Sequence, residues 1–334
     1  MRVLAFCGLS IALISIVGIT GSKAAGCDPL GDVQFVCDQV GAEDLVLVPG
    51  SAWVVASGLA AGGAIRLINV RERTTTVLFP TASPRNRPDT KAYGSCPGPM
   101  DEDKEKFRAH GLYLRAGKKS LHTLYVVHHG NRESIEVFEL DTGVKTPTLV
   151  WVGCAIAPES VRLNAVVALP DGGFAATNFQ PRDKNGELWE WHTTDGWKIV
   201  PGSDASGANG LELSKDGKWF YIGAWGSQSF IRLSRGQTPV KRDDVALGFR
   251  IDNLRWAPDG TLFGAGQEGA PDGSLTKTTS HVVKINPETL EVRKIIRYPY
   301  NDVFSFATVA VQVGKEVWVG SVRGTRIARF PATQ

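Results

Sequence analysis

Six tight turns, each leading into a short apolar strand, recur along the chain at Pro49-Gly50, Ala116-Gly117, Asp171-Gly172, Asp216-Gly217, Asp259-Gly260 and Val313-Gly314. The strands that follow include Trp53-Val54-Val55-Ala56, Phe174-Ala175-Ala176-Thr177, Trp219-Phe220-Tyr221-Ile222-Gly223, Thr261-Leu262-Phe263-Gly264 and Val317-Trp318-Val319-Gly320. A repeated unit of this kind cannot bury its own apolar face, so the copies must pack on one another. Helical periodicity is hard to find after residue 25, whereas runs of Val, Ile, Phe, Tyr and Trp broken by Gly, Pro and Asp run throughout. Successive turn glycines lie 43 to 67 residues apart, a spacing that suits four strands per unit. The expectation is an all-β chain, a six-bladed β-propeller forming a single domain over residues 25–334, with few free sheet edges.

Seven or eight residues before the turn glycines lies the start of the strand nearest the propeller axis. Unusual residues stand there: Glu43, His110, Asn164, Asn209 and the pair Asp252-Asn253, each set in apolar sequence such as Ala208-Asn209-Gly210-Leu211. Any one Asn or Asp is more simply a turn cap. Five at one phase of a repeat instead converge on one end of the channel. All but His110 are hard oxygen donors, and Ca²⁺ takes about six to eight such ligands in irregular geometry, whereas Zn²⁺ favours His or Cys and Mg²⁺ a strict octahedron. Glu43 and Asp252 supply two negative charges for one divalent ion. A Ca²⁺ with open positions could polarise an ester or lactone carbonyl, with His110 and His129 as the candidates for proton transfer.

The residues before this repeat read as an export signal. Leu4 to Thr20 is an almost unbroken apolar run behind Arg2, and small residues from Ser22 to Ala25 suit cleavage after Ala24, so residues 1–24 are expected to be a signal peptide of a secreted or periplasmic protein. Ala24-Ala25-Gly26-Cys27 is also a weak lipid-attachment signal, against which Lys23 and the missing Leu argue. Without Arg2 and Lys23 the formal charge falls from +3 to +1, and no basic stripe implies a nucleic-acid partner. No later segment is apolar enough to span a bilayer as a helix. Cys27, Cys37, Cys96 and Cys154 would meet an oxidising compartment, where three pairings are possible.

The segments Ala42-Glu43-Asp44-Leu45, Ala109-His110-Gly111-Leu112, Tyr125-Val126-Val127-His128-His129, Leu163-Asn164-Ala165-Val166, Ala208-Asn209-Gly210-Leu211, Ile251-Asp252-Asn253-Leu254 and Thr308-Val309-Ala310 resemble, in the same order, those of the paraoxonase and arylesterase lactonases, which group with the gluconolactonase-like propellers. The resemblance covers nearly the whole mature chain. It implies a catalytic Ca²⁺ held by Glu43, Asn164, Asn209, Asp252 and Asn253, with His110 and His129 matching a pair proposed as general base and partner. It implies a small lactone or ester as substrate. Paraoxonases carry an Asp after the residue matching Asn164 that helps bind a second, structural calcium; here Ala165 stands there, so one calcium is expected even though Asp44 would suit the second site. The paraoxonase disulfide joining the chain ends has no counterpart, because no Cys lies near the C-terminus.

In the repeat, Cys96 and Cys154 fall in loops leading to the inner strands of His110 and Asn164, which favours Cys96–Cys154 and leaves Cys27–Cys37. The former would tie down an insertion, Thr81 to Lys106, expected as a lid or rim over the channel. Trp53, Tyr93, Phe179 and Trp225 are candidate pocket walls. Gly264-Ala265-Gly266-Gln267-Glu268-Gly269 matches a dinucleotide-binding pattern, but Ala270-Pro271-Asp272-Gly273 follows it where a helix should start. No serine-hydrolase elbow or zinc-protease motif is present. Besides a calcium-dependent hydrolase, the sequence admits a ligand-binding propeller with structural calcium, a metal-free propeller enzyme, and a Lewis-acid isomerase or lyase.

Overall fold

The computed structural model describes residues 27–100, 106–180 and 184–332, and these hold strands and no helix. Five four-stranded antiparallel sheets and one five-stranded sheet form the six blades. The expected signal peptide lies outside the described residues.

All six turn glycines join the innermost strand of a blade to its second strand. The inner strands are Ala42–Leu47, Arg108–Arg115, Leu163–Ala168, Ala208–Leu213, Arg250–Trp256 and Ala307–Val313. Second strands such as Phe174–Asn178 are buried along their length, because both faces pack on neighbouring blades. That explains their near-continuous apolar sequence. Aromatic residues of the third blade form a cross-strand cluster on the face toward the second blade: Phe174 stacks on Trp191 at 4.9 Å, Trp197 meets Phe174 edge-on at 5.5 Å, and Tyr125 of the second blade meets Phe174 at 5.6 Å.

The ring is closed by the chain's own start. Gln34–Val36 pairs antiparallel with Ile327–Pro331 as the outermost strand of the sixth blade, in the register Phe35 opposite Ala328. A disulfide between Cys27 and Cys37 brackets this strand. It engages the sulfur that lipid attachment would need.

One expectation about the second pair of cysteines needs correction. Cys96 and Cys154 are bonded, with Cα atoms 5.2 Å apart. Cys154, however, lies in Thr148–Ile156, the long outer strand of the second blade, and not in a loop leading to Asn164. The described part of the segment after Thr81 begins along the blade's side and reaches the loop beside His129, where Arg132 Nη1 donates to Gly98 O at 2.9 Å. It follows the outer edge of the second blade, with Arg85–Asn86 parallel to Val150 and Trp151, and Tyr93 stacks on Trp191 of the third blade at 5.6 Å. Hydrogen bonds from Arg87 N to Trp151 O and Asp89 N to Val152 O, both 2.8 Å, extend the pairing.

The two disulfides close loops of 58 and 10 residues. Chain-entropy arguments give the longer crosslink about 4 kcal/mol of stabilisation and the shorter about 2.7 kcal/mol. Urea unfolding of the double variants Cys96→Ser/Cys154→Ser and Cys27→Ser/Cys37→Ser is expected to show the larger loss in the first. The reverse order would mean that closure of the ring, not loop length, sets the contribution.

Candidate metal centre

Each inner strand breaks register with its neighbour at the same level. In the first blade Ala42 pairs with Gly58 and Leu45 with Ala56, so Glu43 and Asp44 together face Ser57. The same extra residue occurs at His110-Gly111, Asn164-Ala165, Asn209-Gly210, Asp252-Asn253 and, in the sixth blade, Thr308. A β-bulge bends its strand and re-aims a side chain. Six at one level turn one ring of side chains toward the axis.

Neighbouring hydroxyls support the bulges. Asp44 N donates to Ser57 Oγ at 2.9 Å, Ala165 N to Thr177 Oγ1 at 3.0 Å, and Thr177 Oγ1 donates to Asn209 O at 2.6 Å. Thr308 Oγ1 donates to Glu43 O at 2.6 Å, so the sixth blade fixes the backbone of a ring residue with its hydroxyl. Gly111 and Gly210 allow the strands to approach, since a Cβ there would lie 2.2 Å from Asn164 O and Asp252 O respectively.

The ring is buried and short of hydrogen-bond donors. Asn253 Nδ2 donates to Glu43 Oε1 at 2.6 Å, and Gln267 Nε2 donates both to Asp252 Oδ2 at 2.8 Å and to Ala307 O at 2.6 Å. Gln267 is itself held by Trp225 Nε1, which donates to its Oε1 at 2.9 Å. Glu43 Oε2, Asn164 Oδ1, Asn209 Oδ1 and Asn253 Oδ1 are all buried without a hydrogen-bond partner. An unsatisfied buried acceptor costs about 1–3 kcal/mol, a cost that a cation bound within the ring would relieve at four oxygens at once. Burial, and then the neighbouring Glu43 carboxylate, pushes the Asp252 carboxyl well above its ordinary range. These residues fit Ca²⁺: two carboxylates and three amide oxygens, all hard donors. Among the described residues no group of three His, Cys, Asp or Glu side chains could hold a metal, consistent with a ring in which amides predominate.

Beside the ring runs a chain of imidazoles. His110 Nδ1 lies 2.8 Å from His129 Nε2, and His129 Nδ1 lies 2.8 Å from Glu133 Oε2. Glu133 Oε1 accepts a 2.7 Å bond from the Leu163 N–H, which locks the carboxylate in place. The other ring nitrogen of His110 is 3.6 Å from Glu43 Oε1. Burial pushes the His110 imidazole down, but Glu43, followed by Asp252 and Asp44, outweighs it and the net shift is upward. His128, which precedes His129, instead stacks on Phe107 at 5.1 Å and is pushed down to about 4 by burial.

Below the ring Asp44 faces another partner. Its Oδ2 meets Arg255 Nη2 and the Leu112 N–H, and its Oδ1 accepts from Leu45 N at 2.8 Å. Burial pushes Asp44 up to about 6 and Glu212 up to about 7, in each case against the pull of Arg255.

Of the expected pocket walls, Phe179 and Trp225 lie at the ring end, in edge-to-face contact at 5.9 Å. Trp53 lies at the opposite, turn end of the first blade and Tyr93 on the outer rim, so neither lines the ring. Sequence reasoning passed over Glu133, Gln267, Arg255 and Glu212. Gln267 falls within the glycine-rich segment set aside as a turn, and its polar side chain at the end of an apolar strand was the available signal.

An all-β ring with a buried oxygen cluster at one mouth and a histidine relay beside it defines a class: six-bladed propellers carrying a polar axial site. The sequence matches no protein-family profile and no curated protein. Among solved structures, the fold is shared with a protein designated a gluconolactonase, with a TM-score of 0.57 and 13% identity over 92% of this chain and 94% of that one. It is shared too with the calcium-binding protein regucalcin from Agrobacterium tumefaciens, at TM-score 0.55 and 14% identity over 89% and 92% of the two chains. A luciferin-regenerating enzyme matches at TM-score 0.55 and 14% identity, over 89% and 94%. At such identities the likeness establishes the six-bladed fold.

Gln267→Ala removes the donors to Asp252 Oδ2 and Ala307 O. It is expected to weaken Ca²⁺ binding by about ten- to hundredfold while leaving a folded protein, as loss of a ligand-orienting partner does elsewhere. Calorimetric titration measures it, and an unchanged affinity would show that Asp252 needs no such clamp.

Proposed function

We propose that this protein is an exported, calcium-dependent hydrolase of lactones or related esters. The observation that carries the proposal is the set of four unpartnered buried oxygens, Glu43 Oε2, Asn164 Oδ1, Asn209 Oδ1 and Asn253 Oδ1, next to the carboxylate of Asp252 and a histidine relay. Regucalcin and the gluconolactonase-designated protein share the fold and agree with this reading. The two disulfides agree with export to an oxidising compartment.

Glu43, Asn164, Asn209, Asp252 and Asn253 would hold Ca²⁺. When bound, the ion polarises the substrate carbonyl and favours the oxyanion that forms as water attacks. The protein's own groups handle the proton. Glu133 fixes the proton of His129 on Nδ1, so His129 Nε2 accepts from His110 Nδ1–H, and the lone pair of His110 is left on Nε2, facing the ring. From there His110 takes a proton from water as the new C–O bond forms. The positive charge that develops passes along the relay toward Glu133. As the ester C–O bond breaks, His110 Nε2 returns the proton to the leaving oxygen. The pairing of Phe179 with Trp225 offers an apolar wall for the acyl or ring carbons.

Stripping the protein with a chelator, or substituting Asp252→Asn or Glu43→Gln, is expected to abolish turnover in a screen of aliphatic lactones, sugar lactones and aryl esters. Full activity of the stripped or substituted protein would sink the proposal. Products formed without incorporation of solvent oxygen would instead favour a lyase or isomerase.

His110→Gln is expected to lower kcat by about 10²–10⁴-fold with Ca²⁺ still bound. Adding Glu133→Gln to that variant should cost little more, because relay members act as a unit. Fully multiplicative losses would show that Glu133 acts outside the relay.

A further inference from the structure

The channel contains a second concentration of oxygen atoms, one layer below the ring, and its centre is filled by a side chain. Arg255, 7% exposed, projects into the axis from the fifth blade. Its Nε donates to Leu45 O at 3.1 Å, its Nη1 to Leu254 O at 2.7 Å, and its Nη2 to Leu112 O at 2.8 Å. Nη2 also pairs with Asp44 Oδ2, and Nη1 lies 3.6 Å from Glu212 Oε1. Three main-chain carbonyls and two carboxylates, drawn from the first, second, fourth and fifth blades, thus surround one buried guanidinium.

Such a cage has the composition of a hard-cation site. Carbonyl and carboxylate oxygens are what Ca²⁺ selects, and two buried carboxylates in a low-dielectric channel require positive charge between them. A guanidinium meets the same need with a fork of donors that cannot be titrated away. Unlike an ion it cannot exchange with solvent.

We propose that Arg255 is a built-in cation that occupies what would otherwise be a second metal site of the channel, so that the protein holds one exchangeable divalent ion and removal of the guanidinium opens a second site. Its wild-type count of one rests on the ring being a Ca²⁺ site; the cage itself does not. The oxygens are spread around a group wider than an ion, so water must complete the shell, and the opened site binds at least about tenfold more weakly than the ring. Because Asp44 follows Glu43 and Leu254 follows Asn253, the guanidinium also ties together the backbones of two ring bulges.

The test is ion stoichiometry of chelator-stripped wild type, Arg255→Ala and Arg255→Ala/Glu212→Gln, titrated with Ca²⁺ in a calorimeter. The expected counts are one, two and one. Two ions in the wild type, or no additional ion in Arg255→Ala, overturns the proposal. None in the wild type and one in Arg255→Ala would refute the ring as a Ca²⁺ site and leave the cage standing. Should Arg255→Ala be unstable when stripped, its Tm is expected to rise with millimolar Ca²⁺ by more than that of wild type. A variant that calcium does not stabilise beyond wild type also overturns the proposal.

Discussion

The β-bulge shared by the six inner strands is the constraint from which the site follows. Without the extra residue, alternation along a strand would point Glu43, Asn164, Asn209 and Asp252 on regular courses set by each blade's own pairing. With it, two consecutive residues face one partner, and a ring of side chains is turned to a common level. Each bulge must find partners for the backbone groups it frees. Ser57 and Thr177 supply hydroxyls, and Thr308 donates across from the sixth blade to the backbone of Glu43. The close approach at Gly111 and Gly210 excludes any Cβ. The ring can stay in register only while the propeller stays closed, which links the site to the short strand Gln34–Val36 and its flanking disulfide.

Electrostatics divides the channel into two layers with different solutions to one problem. In both, carboxylates are withdrawn from water and their acidity is weakened by burial: Asp252 in the ring, Asp44 and Glu212 below. The lower layer is compensated internally by Arg255, whose five donors face five oxygens. The upper layer has amides, whose oxygens are aimed inward without donors of their own. A fixed cation gives permanent shape, whereas a ring of unpartnered oxygens leaves room for the exchangeable ion proposed above. The two layers share bulge residues, so rigidity below sets the precision above.

The fold and much of the ring were legible because a propeller repeats itself. Turn glycines gave the phase, and polar residues such as Asn209 and Asp252, standing in apolar strands at that phase, could not be surface residues of a regular sheet. What lay beyond was what the repeat does not encode. Arg255 and Glu212 alternate with Leu and Trp, a pattern that reads as solvent-facing on any strand except one lining an axis. Glu133 reaches His129 across a loop, where spacing carries no periodic signal. Cys154 falls inside the outer strand of the second blade and not in the loop after it, because that strand runs on from Thr148 to Ile156 with no turn signal before Pro158. The segment beyond Thr81 reads as a lid on composition, and its first part finds backbone partners along the free edge of that same strand, where edge donors and acceptors need covering.

Structures similar to this chain include a streptogramin B lyase at 10% identity as well as regucalcin and a protein designated a gluconolactonase, so likeness of fold does not choose among chemistries. The polarity of the histidine relay is more discriminating. An ion that merely plugged a channel would need oxygens alone. Here a carboxylate anchored by a backbone N–H orients one imidazole, which orients a second, and the other nitrogen of that second ring is brought to 3.6 Å from the Glu43 carboxylate. Three residues linked in sequence beside the oxygen ring match the arrangement that the proposed general-base attack by water requires. Its physical logic favours hydrolysis over passive binding.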